Sequence, residues 1–375
     1  MIAILPGPGA IGRMAAVLLS VPLLVIACSG VLLVWAVEID AVLNPDLYEI
    51  SGESGRVSLD DVVAAGRGDR TGPSFAILDR ILIPSYQQDG RASGPYRLLY
   101  TDGTESFVDG SSGRLMGQRV TGEGIKEQLL RLHGLPAGLG AVGYPFIGAI
   151  FFAMTAFRLH RLFRALPSVG SLLFAALLLL CFPLGLTGLL LGAPSSGRTL
   201  LGMGGLEVTA EKRVSEPDWI EPLFGAAPSV SWEAALQAAY AAGGGAGDLT
   251  PRVISLDQDR GVYRVRMREQ GWPGSPLASA SDIVTVSAVT AQPLDIWSSR
   301  TSAGNSLAMI PFPLHGGGWL GIAGRIAVTL AGLSFILMLM RQLRRIYIDT
   351  LPTARSEIIY GSGPDLQSGR EESGQ

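Results

Sequence analysis

Residues 171–192 read SLLFAALLLLCFPLGLTGLLLG, and this uncharged run decides the fold class. A bilayer core about 30 Å thick needs roughly 20 apolar residues in a helix, so we expect the run to span a membrane. Three other windows of the chain meet the same requirement. The sequence therefore predicts four transmembrane helices, at 14–37, 136–157, 166–192 and 316–340.

The composition of the whole chain also indicates a membrane protein. Of its 375 residues, 48% are hydrophobic and only 16% are charged, whereas soluble proteins carry about 25% charged residues. A net charge of −3 gives no electrostatic basis for binding nucleic acid. With two cysteines the chain cannot form a disulfide framework or a cysteine-rich metal cluster, so any haem or metal chemistry must use His133, His160 or His315.

The distribution of positive charge predicts the orientation of the spans. The short loop between spans two and three carries Arg158, Arg161 and Arg164, and short loops rich in arginine stay in the cytoplasm. We therefore expect both termini to be cytoplasmic and two long segments to be exported. The predicted parts outside the spans are a cytoplasmic N-terminus (1–13), an exported segment (38–135), a cytoplasmic loop (158–165), a second exported segment (193–315) and a cytoplasmic tail (341–375).

The first span contains a sequence that resembles a lipoprotein cleavage site, Val25-Ile26-Ala27-Cys28. A cleaved signal peptide has an apolar stretch of only about 7–15 residues that stops near the cleavage point. Here the apolar run continues through Trp35, so the sequence favours a retained transmembrane helix.

Each exported segment is predicted to fold as a small α+β module. Apolar spacing predicts a helix near 57–64 in the first segment and, after the capping residue Ser231, a helix at 232–242 in the second. The stretches 193–230 and 271–281 have the composition of loops, and the polar tail after Pro352 that of a disordered segment. The predicted strands are 75–83, 96–101, 105–108, 252–257, 262–268 and 283–289.

The two halves of the chain also share short motifs at matching places. Ser29-Gly30 lies near the end of span one and Thr187-Gly188 near the end of span three. Leu132-His133-Gly134 precedes span two, and Leu314-His315-Gly316 precedes span four. Each half thus reads as helix, exported module, helix, which predicts an internal duplication.

These motifs resemble those of the PepSY-associated transmembrane family over roughly residues 10–350. Two further stretches carry the resemblance, Glu38-Ile39-Asp40 with Asn44-Pro45, and Arg114-Leu115-Met116-Gly117. The resemblance implies an integral membrane α-helical protein with two exported PepSY-like modules. It also implies a place among iron-regulated bacterial inner-membrane proteins and ferric-siderophore reductases.

The resemblance further implies two haems, one near each membrane face, each held by two histidines. This chain has no histidine near Gly12-Arg13 or Val169-Gly170, where the ligands of the cytoplasmic haem would lie. It could therefore hold one haem b on the exported side, with His133 and His315 as the iron ligands. Topology alone also puts these two histidines at one depth on different helices. From the residues alone, however, interfacial histidines that cap a helix or bind water are the favoured interpretation.

Arg325 is the one charge inside a predicted span, and a charge in a membrane is a candidate functional residue. Two interpretations stand equal: it pairs with a haem propionate, or it extends to the exported surface. His160, which lies among arginines at the cytoplasmic boundary, is interpreted as a solvated residue.

The predicted function is electron transfer from a membrane haem to a periplasmic ferric-siderophore. Because the inner haem site is missing, a quinol in the lipid bilayer or a partner protein would have to donate the electrons. The alternative is a non-catalytic, membrane-anchored PepSY-like module that binds or regulates a partner and has lost the redox role. A transporter accessory is disfavoured because the spans are nearly free of polar residues, and no hydrolytic or phosphate-binding motif occurs.

Overall fold

The computed structural model describes residues 8–51, 55–68, 77–85, 92–134, 138, 143–164, 169–192, 194–209, 228–243, 249–269 and 281–350. These residues form long apolar helices and one antiparallel sheet with helices packed against it. The helices are α1 (Pro8–Leu33), α2 (Ala36–Leu43), α3 (Pro45–Tyr48), α4 (Leu59–Arg67), α5 (Ile125–His133), α6 (Gly143–Arg164), α7 (Val169–Leu179), α8 (Cys181–Gly192), α9 (Pro194–Met203), α10 (Trp232–Gly243), α11 (Ala303–Met309), α12 (Pro311–His315) and α13 (Gly321–Thr350). The strands are β1 (Leu78–Leu82), β2 (Tyr96–Tyr100), β3 (Thr104–Val108), β4 (Leu115–Val120), β5 (Leu249–Asp257), β6 (Val262–Glu269), β7 (Ser281–Ser287) and β8 (Pro293–Ser298).

Two helical segments of the described chain are long and apolar enough to cross a membrane, Leu172–Gly192 and Gly318–Ile348. A third candidate consists of two helices, Val17–Leu33 and Ala36–Leu43, with a bend of 71° between them. The two helices make one span only if the chain crosses the membrane as a broken helix. The predicted second span corresponds to α6, whose last turns carry Arg161 and Arg164 and which falls short of the same criterion. The described helices therefore include two or three candidate spans, where the sequence predicted four.

The first predicted span, 14–37, was expected to be one continuous helix, and this expectation was wrong. Helix α1 ends at Leu33 and α2 begins at Ala36 in a new direction. A polar contact from Arg325 on α13 satisfies the backbone carbonyl that is left free at this break.

The sheet joins the two predicted modules into one structure. Its strand order is β4-β3-β2-β1-β5-β6-β7-β8, and every neighbouring pair is antiparallel. The halves meet where β1 pairs with β5, with Ile81 opposite Ile254. Counted outward from this seam, the strands follow chain order in both halves, from β1 to β4 and from β5 to β8.

Helices α4 and α10 pack on one face of the sheet, and a single hydrophobic core covers the seam. Leu59, Ile81, Leu236, Ile254 and Tyr263 are fully buried in it. The helix starts are also tied to each other, because Glu233 Oε2 accepts the Leu59 N–H at 2.9 Å and Asp60 Oδ1 accepts the Glu233 N–H at 3.3 Å.

The predicted secondary structure of the modules was largely confirmed. Ser58 caps α4 by accepting the Asp61 N–H at 3.1 Å, and Ser231 Oγ accepts the Ala234 N–H at 3.2 Å at the start of α10. Strands β4 and β8 were missed.

Three loop or disorder predictions have different outcomes. The stretch 193–230 was expected to be a loop, yet its first part forms α9, so that expectation was wrong there. The predicted loop at 271–281 lies outside the described residues except for Ser281, which begins β7. The tail after Pro352 lies outside them entirely.

Candidate functional site

His133 and His315 lie next to each other, although 182 residues separate them in the chain (315 − 133). Their ring centroids are 5.9 Å apart, with the rings inclined by 53°. His133 is the last residue of α5 and His315 the last residue of α12. Two helix ends from the two halves thus bring the imidazoles to one place.

The His133 ring lies against the C-terminal part of α1. Its Nδ1 is 3.0 Å from the carbonyl oxygen of Ile26 and 3.4 Å from the Ser29 hydroxyl. A backbone carbonyl only accepts hydrogen bonds, so Nδ1 carries the proton and Nε2 keeps its lone pair. A donated Nδ1–H bond of this kind is what usually orients a metal-bound histidine.

His315 makes the corresponding contacts with α8. Its Nδ1 is 3.0 Å from the carbonyl oxygen of Leu184 and 3.1 Å from Thr187 Oγ1. The Thr187 hydroxyl donates to its own helix, at the Pro183 carbonyl, so its lone pair is free to accept from the imidazole. His315 therefore has the same tautomer as His133, with an unprotonated Nε2.

Gly30 and Gly188 explain the Ser/Thr-Gly pair that the sequence repeats. A Cβ at Gly30 would lie 2.9 Å from Cε1 of His133, and a Cβ at Gly188 would lie 2.9 Å from Cε1 of His315. Both distances are shorter than van der Waals contact. Each imidazole can therefore pack on its helix only because the helix carries glycine at that point.

Both imidazoles are neutral at physiological pH. Burial lowers the pKa of His133, and burial together with the neighbouring His133 lowers the pKa of His315 to about 4. Neutral imidazole is the form that binds metals. His160, in contrast, is exposed on α6.

Arg325 lies on α13 and contacts the break between α1 and α2. Its guanidinium pairs with Glu38 through two bonds, Nη1–Oε1 at 2.6 Å and Nη2–Oε2 at 2.7 Å. Nε and Nη2 also donate to the carbonyl oxygen of Val34, at 3.1 and 2.6 Å. The break leaves this carbonyl without a helical partner, and Arg325 satisfies it.

Trp35 completes the contacts at the break. The Arg325 guanidinium carbon is 4.2 Å from the centroid of the Trp35 ring, and Trp35 Nε1 donates to Thr329 Oγ1 at 2.8 Å. The Arg325 guanidinium thus pairs with a carboxylate of this chain, that of Glu38. The structure brings the two histidines together and places Arg325 with α1 and α2.

A buried network of charges connects α2 to the first half of the sheet, and sequence reasoning missed it. Arg119 on β4 pairs with Asp40 at 2.9 Å and with Glu105 at 2.9 Å. Glu105 also pairs with Arg97, which is 3.7 Å from Glu127 on α5. Tyr48 also donates a hydrogen bond to Asp40 at 2.6 Å.

This ionic network holds the helix that carries His133. Glu127 lies in the first turn of α5, and His133 ends the same helix. The available sequence signal was the pairing of opposite charges on neighbouring strands, since Glu105 and Arg119 are cross-strand partners. The spacing of the charged residues in the sequence does not show which of them are buried.

In the second half, a neutral side chain and not an ionic network fixes the segment that leads to His315. Asn305 on α11 is fully buried. Its Oδ1 accepts the Thr209 N–H at 2.8 Å, and its Nδ2 donates to Thr209 Oγ1 at 2.7 Å and Thr301 Oγ1 at 3.0 Å. Ser302 caps α11 by accepting the Asn305 N–H at 3.0 Å. These bonds fix α11, which leads directly into α12 and His315.

The geometry limits what the histidine pair could bind. Among the described residues, no group of three or more His, Cys, Asp or Glu side chains could hold a metal ion. Two imidazoles are too few to chelate a bare ion in a structural site. They suffice for a cofactor that brings its own equatorial ligands.

Together these features define an integral membrane protein in which apolar helices are joined to a folded sheet domain. A family model described as the PepSY-associated TM region matches residues 13–341, and the chain belongs to this family. A comparison with curated proteins finds no significant match.

Proposed function

We propose that this protein is a haem-binding protein of the bacterial inner membrane that takes part in the reduction of ferric-siderophores in the periplasm. The observation that supports the proposal most is the pair formed by His133 and His315. Membership of the PepSY-associated family agrees with it.

The pair fits the requirements of haem iron. Two imidazoles bonded to one metal ion at about 2 Å place their ring centroids about 6 Å apart, close to the observed 5.9 Å. Both rings keep Nε2 free and are neutral, which is the ligating form. Haem iron would need two ligands from the protein, and His133 and His315 could supply them.

A bound haem would supply one-electron transfer. The residues of the chain orient the ligands for this task. The Ile26 and Leu184 carbonyls accept the Nδ1–H groups, which fixes each ring and makes Nε2 a stronger donor. Gly30 and Gly188 leave the space in which the rings lie.

The proposal includes four spans, with both termini in the cytoplasm. Helix α6 has 22 residues, and at about 1.5 Å per residue this is long enough to cross a bilayer core. The matched contacts of His133 and His315 support an internal duplication. Since histidines are absent near Gly12-Arg13 and Val169-Gly170, a quinol or a protein partner would donate the electrons.

The haem proposal is tested by the visible spectrum and pyridine haemochrome assay of the purified full chain, expressed with ample haem. We expect one low-spin haem b per chain. His133→Ala and His315→Ala should each abolish the low-spin spectrum or make it high-spin, whereas the matched control His160→Ala should leave it unchanged. Two haems per chain would contradict the ligand assignment. Absence of haem would favour the alternative, a non-catalytic membrane-anchored binding module.

The orientation is tested by reporter fusions. A reporter that is active only when exported should be active when fused at Gly110, in the sheet domain, and inactive when fused after Arg345. The reverse result would contradict the exported placement of the histidine pair.

A further inference from the structure

A cleft lies at the seam where the two halves of the sheet meet, away from the residues assigned to haem. Its cavity volume is about 50 Å³, far below the range for drug-sized ligands, so only a small ion or a single ionised group can enter it. We call it the seam cleft. It is lined by Arg56, Ile83, Pro84, Ser85, Tyr240, Thr250, Pro251 and Arg252.

A β-bulge places Arg252 in the seam cleft. Along the β5–β6 pair, Pro251 lies opposite Met267 and Val253 opposite Arg266, so Arg252 is an extra residue without a partner on β6. Bulges redirect a side chain that a regular strand would place elsewhere, and they occur often beside functional sites. The bulge lies next to the end of β1, where the Ile83 N–H donates to the Arg252 carbonyl.

The polar lining consists of two guanidiniums and three hydroxyl groups, from Ser85, Tyr240 and Thr250. Arg252 donates to the Ser85 hydroxyl, and Arg56 is hydrogen-bonded to Tyr240. None of the residues that line the cleft in the described part of the chain is a carboxylate. The polar part of the lining thus offers hydrogen-bond donors and positive charge, and Ile83, Pro84 and Pro251 make the rest of it apolar.

The two arginines of the seam cleft lie in different electrostatic surroundings. Burial, together with the like charge of Arg268, lowers the pKa of Arg252. Although burial would lower the pKa of Arg56, the neighbouring Tyr96, Tyr240 and Glu233 raise it, so the charge of Arg56 is the better compensated of the two. An arginine that is partly buried beside another arginine is stabilised by an anion.

We propose that the seam cleft binds a small soluble oxyanion, through a carboxylate or phosphate group held by Arg252 and Arg56. Guanidinium groups bind both kinds of oxyanion in a forked geometry, and the Ser85 hydroxyl, which accepts from Arg252, can donate to a remaining oxygen. Because Arg56 belongs to the first half and Arg252 to the second, such a ligand would connect the two halves. The proposal does not depend on haem.

The test is titration calorimetry of the full chain in an uncharged maltoside detergent at low salt, with citrate and inorganic phosphate as probes. We expect at least one probe to bind, and the tighter probe identifies the favoured oxyanion. Arg252→Gln and Arg56→Gln should each weaken binding by about tenfold or more, since each removes charge-assisted hydrogen bonds.

Arg80→Gln is the matched control, because it removes the same charge from the neighbouring strand β1 at a side chain that pairs with Asp79 at 2.7 Å. It should change the affinity less than twofold. Arg252→Lys keeps the charge but loses the forked guanidinium, so this variant should bind with intermediate affinity. It replaces Arg252→Gln in the test if that variant has a lowered thermal stability. No binding of either probe at millimolar concentration would overturn the proposal, as would an equal loss in the Arg80→Gln variant.

Discussion

The two halves of the molecule present their histidines in the same way but stabilise them by different chemistry. In each half a helix-terminal imidazole donates to a backbone carbonyl and packs on a glycine. In the first half, the buried charges of Asp40, Arg119 and Glu105 connect α2 to the sheet. Arg97 links this network to Glu127 on the helix that carries His133. In the second half, the neutral side chain of Asn305 takes this place.

The same difference recurs at the turns that follow β3 and β7. Asp109 accepts the N–H groups of Ser51 and Ser111 at 2.9 and 2.8 Å. Ser287 accepts those of Val289 and Thr290 at 3.1 and 2.8 Å. A carboxylate in one half corresponds to a hydroxyl in the other. The comparison teaches that one backbone arrangement can be satisfied by charged or neutral groups.

The largest expected effect comes from breaking the ionic network of the first half. Arg119→Met leaves Asp40 and Glu105 buried without their cation, which should destabilise the protein by about 3–5 kcal/mol. Thermal unfolding of the full chain in detergent measures the loss. Arg260→Met, which removes a partly exposed pair with Asp257, is the control and should cost about 0.5 kcal/mol or less. Equal midpoints for the two variants would contradict the role of the network.

The corresponding change in the second half should have a smaller effect. Asn305→Leu leaves the Thr209 N–H without its acceptor, and an unsatisfied buried polar group costs about 1–3 kcal/mol. We expect a loss of about 2–3 kcal/mol in the same unfolding assay, since Nδ2 also loses its bonds. Gln237→Leu, on the exposed face of α10, is the control. A loss as large as that of Arg119→Met would mean that the neutral network is no weaker than the ionic one.

Acid should weaken the first half through Asp109 at pH values below about 4. Although burial would raise it, hydrogen bonds from Ser111 and Ser51 lower the pKa of Asp109 from 3.8 to about 2. A lowered pKa gives stability that is complete above pH 3.8 and is lost as the pH falls towards 2.

The contribution of Asp109 is at most about 2 kcal/mol, and unfolding midpoints between pH 2 and 6 measure it. Asp109→Asn should flatten this acid dependence. Ser287→Ala, the matched change in the second half, should lower the midpoint by the same amount at every pH. An unchanged acid dependence in Asp109→Asn would refute the assignment.

The smallest effect should come from the two glycines beneath the histidines, and it should be equal in both halves. Gly30→Ala and Gly188→Ala each place a Cβ 2.9 Å from an imidazole carbon. Overpacking costs about 1–3 kcal/mol and alanine regains up to about 1 kcal/mol of helix propensity, so the net loss should be about 1 kcal/mol. Unfolding midpoints measure the loss of stability. The rate of histidine modification by diethyl pyrocarbonate measures whether the imidazoles become more accessible.

Gly202→Ala is the control for the glycine pair, because a Cβ there meets nothing within 4 Å. Because Gly202 lies in α9, this change should raise the stability by up to about 1 kcal/mol and leave the histidine reactivity unchanged. If Gly30→Ala and Gly188→Ala differed strongly from each other, the equivalence of the two histidine environments would be wrong.

Much of the local structure was predictable from the sequence, because its causes lie within a few residues. The apolar runs that include α8 and α13, the caps Ser58 and Ser231, and the alternation in the strands are signals of this kind. The family was also recognisable from short motifs in a fixed order. Strand β8 was not predicted because Pro293 and Asp295 are unfavourable in strands and interrupt its apolar alternation.

What the sequence by itself determined is the class of the protein, the positions of its apolar helices and which histidines are available. Hydrophobic length and period are properties of contiguous residues, and they need no knowledge of what packs against them. The tertiary structure decided that β1 pairs with β5 to make one sheet, that His133 and His315 meet, and that Arg325 binds Glu38 at a break in the first helix. Each of these contacts joins residues more than 150 positions apart in the chain. They follow from the packing of whole helices and strands, which no local pattern encodes.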